Sequence, residues 1–161
     1  MVSESRILRL HQLSVVEAQA VLRGEKGPGL DWAPGFPSIE HVAFLKAYVA
    51  DVTAHRDPGP FGLYLVVLQE LSLVIGGAGF VGPPDSHGTV EIVVELEPLV
   101  RKQGYGAEAI AAIVDVARAN GARRIITGTP VRNVAGQHAL EHGGLVEVSR
   151  DDGIVNYALD V

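Results

Sequence analysis

The hydrophobic positions of this chain change period several times, and each change predicts an element. Charged and apolar residues alternate from Arg6 to Leu10, the two-residue period of a strand. Ser14 then stands where a helix N-cap is needed, and Glu17 three residues on completes a capping box. A helix is predicted from there to about Arg23, stopped by Gly24. The stretch GEKGPGLDWAPGFPS keeps no period and is rich in Gly and Pro. It predicts a loop carrying Trp32 and Phe36, either a surface connection or a binding lid. Ser38 is placed to cap a second helix whose apolar face is expected to hold Ala43, Phe44, Ala47 and Tyr48.

From Phe61 onward the period becomes that of strands. FGLYLVVLQ and SLVIGGAGFVG, parted by a short polar break, predict neighbouring antiparallel strands. Gly76, Gly77 and Gly79 inside the second predict a bulge or a close backbone approach. The turn PPDSHG leads into a strand TVEIVVELE. A helix follows Gly104, with Ala109, Ile110, Ile113, Val114 and Ala117 at helical spacing. The remainder reads as a strand RRIITGT, a short helix from Asn133 to His142, and strands LVEVS and IVNYALD joined by a turn at Asp151-Asp152-Gly153. The order is β-α-α-β-β-β-α-β-α-β-β, with no internal repeat and no dividing linker. This predicts a single domain over residues 1–161, an α/β (α+β) fold with a mixed sheet and helices on both faces.

Composition narrows the chemistry. At 161 residues, 47% hydrophobic and 20% charged, the chain can bury a core without staples. A net charge of -6 argues against nucleic acid as the main partner and suits a cationic substrate. The absence of Cys removes disulfides, thiolate nucleophiles and Cys-based metal sites together. MVSESRILRL lacks the apolar core of a signal peptide, and no apolar run reaches the roughly 18 residues of a membrane span. A cytoplasmic protein without a membrane partner is expected.

The stretch EPLVRKQGYGAEAIAAIVDVA carries the sharpest signal. A helix N-terminus offers unpaired backbone N–H groups and partial positive charge, and glycines there let a phosphate approach closely. Arg101 and Lys102 add full charges beside Gly104-Tyr105-Gly106. A lone G-x-G is a weak signal, but this one follows a strand and opens an amphipathic helix. Ala109 replaces the third glycine of a dinucleotide fingerprint, and no Gly-Lys-Ser/Thr of a nucleotide P-loop follows.

Pro98-x-x-Arg101-x-x-Gly104-x-Gly106-x-Glu108-Ala109 resembles the acyl-CoA pyrophosphate loop of the GNAT superfamily of N-acetyltransferases, Q/R-x-x-G-x-G/A. Asn133 is similar to the Asn that opens the next helix in that family, and Gly144-Leu145 stands where the family usually has Gly-Phe. The glycine-bearing strand, the Pro-Pro-Asp turn and Val90-Glu91-Ile92 resemble the branch related to ribosomal-protein N-terminal acetyltransferases. The resemblance spans about residues 6–160. It implies a mostly antiparallel central sheet and acetyl-CoA as cosubstrate. Arg101, Lys102, Gln103, Gly104, Tyr105 and Gly106 would hold the pyrophosphate. The strand ending at Glu95-Leu96 would splay from RRIITGT to admit the pantetheine arm, and a backbone N–H near Leu96 would polarise the thioester carbonyl. Asn133 would contact the pantetheine or the adenine side. Glu91 would remove the proton of an acceptor amine through water, unless it is simply an exposed strand carboxylate. Glu95 and Glu97 alternate with it and would attract a cationic substrate or stay solvated.

Two departures stand beside these matches. Many family members carry a Tyr that protonates the leaving thiolate where this chain has Leu140, and relatives often have Ser where it has Gly136. Two functions therefore remain. One is an acetyl-CoA-dependent N-acetyltransferase acting on a primary amine, a protein N-terminus or a small amine, by direct attack on the thioester, with a homodimer allowed. The other is a non-catalytic acyl-CoA-binding sensor or regulatory domain. His138-Ala-Leu-Glu141-His142 matches the metallopeptidase pattern H-x-x-E-H, yet the helix ends at once in Gly143-Gly144 with too little chain after it for a further ligand helix. A polar helix face and no metal is the expectation. Trp32 and Phe36 either line an acceptor pocket or plug the edge of a core, and no G-x-S-x-G supports a hydrolase.

Overall fold

The run LYLVVL is apolar at every position because it is covered on both sides. In the computed structural model, which describes residues 7–26, 29–54, 57–97 and 104–161, this run is the strand β3 (Leu63–Leu68), buried throughout. Before it come β1 (Leu8–Gln12), α1 (Val15–Leu22), β2 (Asp31–Trp32) and α2 (Ile39–Ala54). After it come β4 (Leu73–Phe80), β5 (Thr89–Leu96), α3 (Tyr105–Ala119), β6 (Arg124–Pro130), α4 (Val134–His142), β7 (Val146–Asp151) and β8 (Ile154–Asp160). Alternation along β3 divides the molecule into two cores. Tyr64, Val66 and Leu68 pack with Ile110, Ile113 and Ala117 of α3, whereas Leu63, Leu65 and Val67 pack with Ala18 and Val21 of α1 and Leu45 of α2. Helices thus cover both faces.

The strands form one sheet in the order β1-β3-β4-β5-β6-β8-β7, with β2 paired to β4 off that path. Only β2 with β4 and β5 with β6 run parallel; the other described pairs are antiparallel. Two sequence expectations need correction. The aperiodic loop contains the two-residue strand β2, where Asp31 and Trp32 pair with Leu73 and Val74. The inner face of α2 is also rotated: His41 and Leu45 are buried, Phe44 and Tyr48 are half-buried, and Ala43 and Ala47 are exposed. Ser38 does cap this helix, its Oγ accepting from the His41 N–H at 3.1 Å. The larger side chains at the 41-45-48 spacing fill the space over β3 and β4 better than two alanines would. At α1 the capping box of Ser14 and Glu17 forms as read. The first strand starts at Leu8 rather than Arg6, and Arg6 lies outside the described residues. Among the described residues, no helix is long and apolar enough to cross a membrane.

One register feature positions the site. β5 and β6 pair only from Thr89↔Arg124 to Glu91↔Ile126. Beyond that point β5 stays with β4, from Ile92↔Phe80 to Leu96↔Gly76, while β6 stays with β8, from Thr127↔Tyr157 to Pro130↔Ile154. Each strand is held by its outer neighbour, so the two part and leave a wedge. A register shift of the β3–β4 ladder at Val66/Val67 leaves Ile75 of β4 as the extra residue, and such a bulge bends and twists its strand. At the apex of the wedge the Thr127 Oγ1 donates to the Ile92 carbonyl at 2.9 Å and closes the last rung with a side chain. Thr127→Val keeps the shape and removes this bond. It should lower the unfolding free energy by about 1 kcal/mol in chemical denaturation and speed amide exchange at the start of the wedge.

Candidate functional site

The wedge opens into a cavity of about 780 Å³ that runs from the α3 and α4 face of the sheet, between β5 and β6, toward α2. Gly104, Gly106, Ala107 and Ala139 line one end; Glu40, His41 and Phe44 line the other. The middle is formed by Val94, Glu95 and Leu96 of β5 facing Thr127 to Pro130 of β6.

At the first end, α3 begins without a side-chain cap. Gly104 is the N-cap residue at φ 80°, a left-handed conformation that glycine adopts without strain. The first amides of the helix therefore keep their donors available toward the cavity, at the positive end of a 15-residue helix. Gly106 follows on the cavity wall, and a Cβ there would come within 3.2 Å of the Ala139 Cβ, so α3 and α4 meet closely at this point. Gly104 and Gly106 are thus brought to the cavity's end, whereas the Tyr105 side chain packs against the α3 core and does not line it; Arg101, Lys102 and Gln103 lie outside the described residues.

Backbone alternation explains what the middle offers. Glu91 O accepts from Val81 N and Glu97 N donates to Ile75 O, so the odd residues of β5 turn their backbone polar groups toward β4. The even residues turn theirs the other way, as the bond from Thr127 to Ile92 O shows. Val94 therefore directs its backbone N–H toward the side that β6 has left. Such a group can polarise a carbonyl placed in the wedge.

α4 lies alongside. Asn133 caps it: its Oδ1 accepts from the Gly136 N–H at 3.0 Å, and its Nδ2 donates to Thr129 Oγ1 at 3.0 Å. Both ends of that side-chain amide are engaged inside the protein. A Cβ at Gly136 would fall 2.3 Å from Asn133 Nδ2, so the glycine and the cap depend on one another. A Ser at position 136 could not coexist with this Asn133 rotamer. Leu140 is buried in the α3 core while touching the cavity. His138 and His142 also line the cavity, but the histidines and Glu141 do not converge. His142 Nδ1 donates to the His138 carbonyl at 2.7 Å, and Glu141 accepts from the Tyr157 hydroxyl at 3.1 Å.

The α2 end is polar in a different way. His41 is buried, and its ring lies edge-on over Gly77 of β4, where a Cβ would stand 1.9 Å from the imidazole Cε1. Only a glycine leaves that seat. Gly77 pairs with Glu95, so the Glu95 side chain rises on the same face as the imidazole. Ser38 joins them, donating its hydroxyl to Glu95 Oε1 at 2.6 Å while capping α2 through His41 N. Phe36 packs against the His41 ring at 4.6 Å and stacks on Trp32 at 5.4 Å. Phe36 is buried in the α1–α2 core and neither aromatic lines the large cavity, which makes them a plug. Burial pushes the His41 pKa down to about 4, so its imidazole is neutral at physiological pH. Its Nε2 is buried with no hydrogen-bond partner among the described residues.

Glu91 is exposed on the α2-side face of the sheet, at the last β5–β6 pair, and does not line the cavity. Four strand residues, about 13 Å, separate it from Glu95. Glu97 is buried, its carboxylate against Gly35 of the loop before α2. His41, Ser38, Gly77 and Thr127 were not singled out as site residues in the sequence. Each acts through a partner on a distant element, and the single hint was the glycine run in β4.

Comparison with known proteins agrees with this geometry. Residues 8–146 match the family model described as an acetyltransferase (GNAT) domain. The chain is 29% identical over 148 residues to the uncharacterized N-acetyltransferase YjdG of Bacillus subtilis (strain 168), covering 89% of this chain and 88% of that protein. Its fold is similar to a chimera of the spermidine N-acetyltransferase SpeG from Vibrio cholerae and hSSAT, with TM-score 0.69, 14% identity and 96% of each chain covered. It is similar to the ribosomal-protein-S5-alanine acetyltransferase from Vibrio fischeri, with TM-score 0.64 and 14% identity over 98% of this chain and 95% of that one. It is also similar to yncA from Salmonella typhimurium, solved with its cofactor acetyl-CoA, with TM-score 0.63 and 16% identity over 96% and 94% of the two chains.

The buried imidazole has a measurable consequence. Its folded pKa of about 4 lies below the ordinary histidine value near 6.5, so between these pH values the unfolded chain binds a proton that the folded one does not. Stability contributed by neutral His41 is complete above about pH 6.5 and is lost as pH falls toward 4, by up to about 3 kcal/mol. Chemical denaturation of wild type and His41→Gln across this range should show the wild-type curve falling more steeply. Parallel curves would mean that the imidazole is solvated.

Proposed function

The chain belongs to the GNAT acetyltransferase family, acyltransferases that draw on acetyl-CoA, and on that premise we propose that it transfers the acetyl group to a primary amine by direct attack of the amine on the thioester. The observation that carries this reading is the wedge between β5 and β6, with the α3 N-terminus at one end and a polar α2 end at the other. The available amides of α3 at Tyr105 and Gly106 would hold the pyrophosphate, with Arg101, Lys102 and Gln103 supplying charge and further contacts. The backbone N–H of Val94, near the end of β5 at Leu96, would stabilise the negative charge developing on the carbonyl oxygen. The turn before α4, fixed by Asn133, would flank the pantetheine arm through its backbone, since the Asn133 amide is engaged with Thr129 and Gly136. Glu91 stands at the apex outside the cavity, so it would take the amine proton only through a chain of waters. With Leu140 buried and Gly136 locked against Asn133, α4 offers no hydroxyl acid at either usual position. The thiolate would then be protonated by water, which a thiol pKa of about 8.5 permits.

The relatives named for a spermidine and for a ribosomal-protein alanine keep both a small amine and a protein N-terminus as acceptors here. The missing hydroxyl acid favours a second reading, a non-catalytic acyl-CoA-binding module. Thiol release from acetyl-CoA with a panel of amines separates the two, because both bind acetyl-CoA and only the enzyme turns it over.

For the cofactor seat, calorimetry with acetyl-CoA should give a clear binding isotherm, and Gly106→Asp should weaken it by about a hundredfold. Gly106→Ala, which makes the same 3.2 Å approach to Ala139 without a charge, should lose far less. Equal affinity in the wild type and a folded Asp variant would move the pyrophosphate elsewhere.

For the base, Glu91→Gln keeps the shape and removes basicity. It should lower kcat by roughly ten- to a thousandfold, with acetyl-CoA affinity nearly unchanged. An unaltered kcat and pH profile would make Glu91 structural.

A further inference from the structure

The α2 end of the cavity holds negative charge that no described residue neutralises. Among the described residues, no Lys or Arg pairs with Glu95 or Glu40, although other surface carboxylates have such partners, as Glu147 has Arg150. Glu95 is half-buried and has one described side-chain bond, from the neutral hydroxyl of Ser38. Beside it stands His41, 6% exposed, with a buried Nε2 that has no partner among the described residues and a seat that exists only because residue 77 is glycine. A buried polar atom without a partner costs free energy, and so does a carboxylate drawn out of water without a counter-charge. Two such costs side by side, on the wall of the 780 Å³ cavity, are explained if something else supplies the missing donor and the missing charge.

An ammonium group supplies both. It carries the positive charge that Glu95 lacks and N–H donors for the lone pair of a neutral imidazole. Glu95 follows Val94, whose N–H faces the wedge, so an ammonium held on its carboxylate is one residue away along the strand from a carbonyl-polarising group. We infer that Glu95 and His41, oriented by Ser38 and Gly77, form the acceptor subsite and select amines free of a nearby negative charge, with cationic molecules preferred. This rests on the N-acetyltransferase reading above. Glu40, exposed at the same end, extends the negative field outward.

Three acceptors of matched length test it: 1,4-diaminobutane, butylamine and 4-aminobutyrate, whose far ends are positive, neutral and negative. Thiol release should rank kcat/KM in that order, with about a hundredfold between the first and last. Glu95→Gln retains an acceptor for the Ser38 hydroxyl and removes the charge. It should raise KM for 1,4-diaminobutane about tenfold, leave kcat within about threefold, and shrink the hundredfold ratio to about ten. His41→Leu should raise KM for all three amines, and His41→Gln, which keeps a polar acceptor, should restore most of the loss. Equal use of the three amines, or a ratio unchanged in Glu95→Gln, overturns the subsite while the transferase assignment stands. If none of the amines is turned over, calorimetry of 1,4-diaminobutane against the CoA-loaded protein decides the matter. Binding lost in Glu95→Gln upholds the subsite in a protein that is not an acetyltransferase for these amines; equal or absent binding removes it.

Discussion

The parting of β5 and β6 after a three-residue parallel ladder is the constraint on which the site depends. A sheet gains from continuing its hydrogen bonds, so two neighbouring strands separate only when each is held more firmly elsewhere. Here β5 is zipped to β4 as far as Leu96, and β6 is zipped to β8 as far as Pro130. The bulge at Ile75 interrupts the regular β3–β4 ladder, and Thr127 finishes the last rung with its hydroxyl. The wedge is thus part of the sheet's own construction. It turns a backbone N–H group, which would otherwise be spent on a neighbour, toward a space wide enough for a substrate.

The two faces of the sheet give the two ends of this space different chemistry. On one face, α3 packs its apolar stripe against β3, β4 and β5 and brings its capless N-terminus to the wedge. That end is made of backbone amides and small residues, which suits a phosphate. On the other face α2 enters through Ser38, and its first turn carries Glu40 and His41 above β4 and β5. That end is made of carboxylates and a neutral imidazole, which suits an amine. The reacting groups of an acyl transfer would approach from opposite faces and meet where the strands part.

Glycines set the tolerances at both ends. Gly77 makes room for an imidazole edge, and Gly136 makes room for the Asn133 amide that caps α4. In each case the missing Cβ is exchanged for a polar side chain reaching in from another element. The exchange at Gly136 has a cost in chemistry: the conformation that fixes the α4 turn excludes a serine hydroxyl from the same place. A catalytic acid and this cap are alternatives at one spot, and the chain carries the cap.

What the sequence determined by itself is the local part of this protein. The order of elements, the capping box at Ser14, the cap at Ser38, the amphipathic α3 and the glycine turn before it all follow from residues within a few positions of one another, where hydrogen bonds and side-chain periodicity act. The family resemblance was legible for the same reason, since its motif is one contiguous stretch. The tertiary structure alone decided which face of α2 turns inward, that Asp31-Trp32 adds a short strand, and that Glu95 and His41 stand together. These depend on register between distant strands and on a cavity left by an absent side chain. A histidine at position 41 and a glycine at position 77 have nothing in common along the chain. They become one feature only when packing and strand pairing bring the imidazole edge onto the bare backbone.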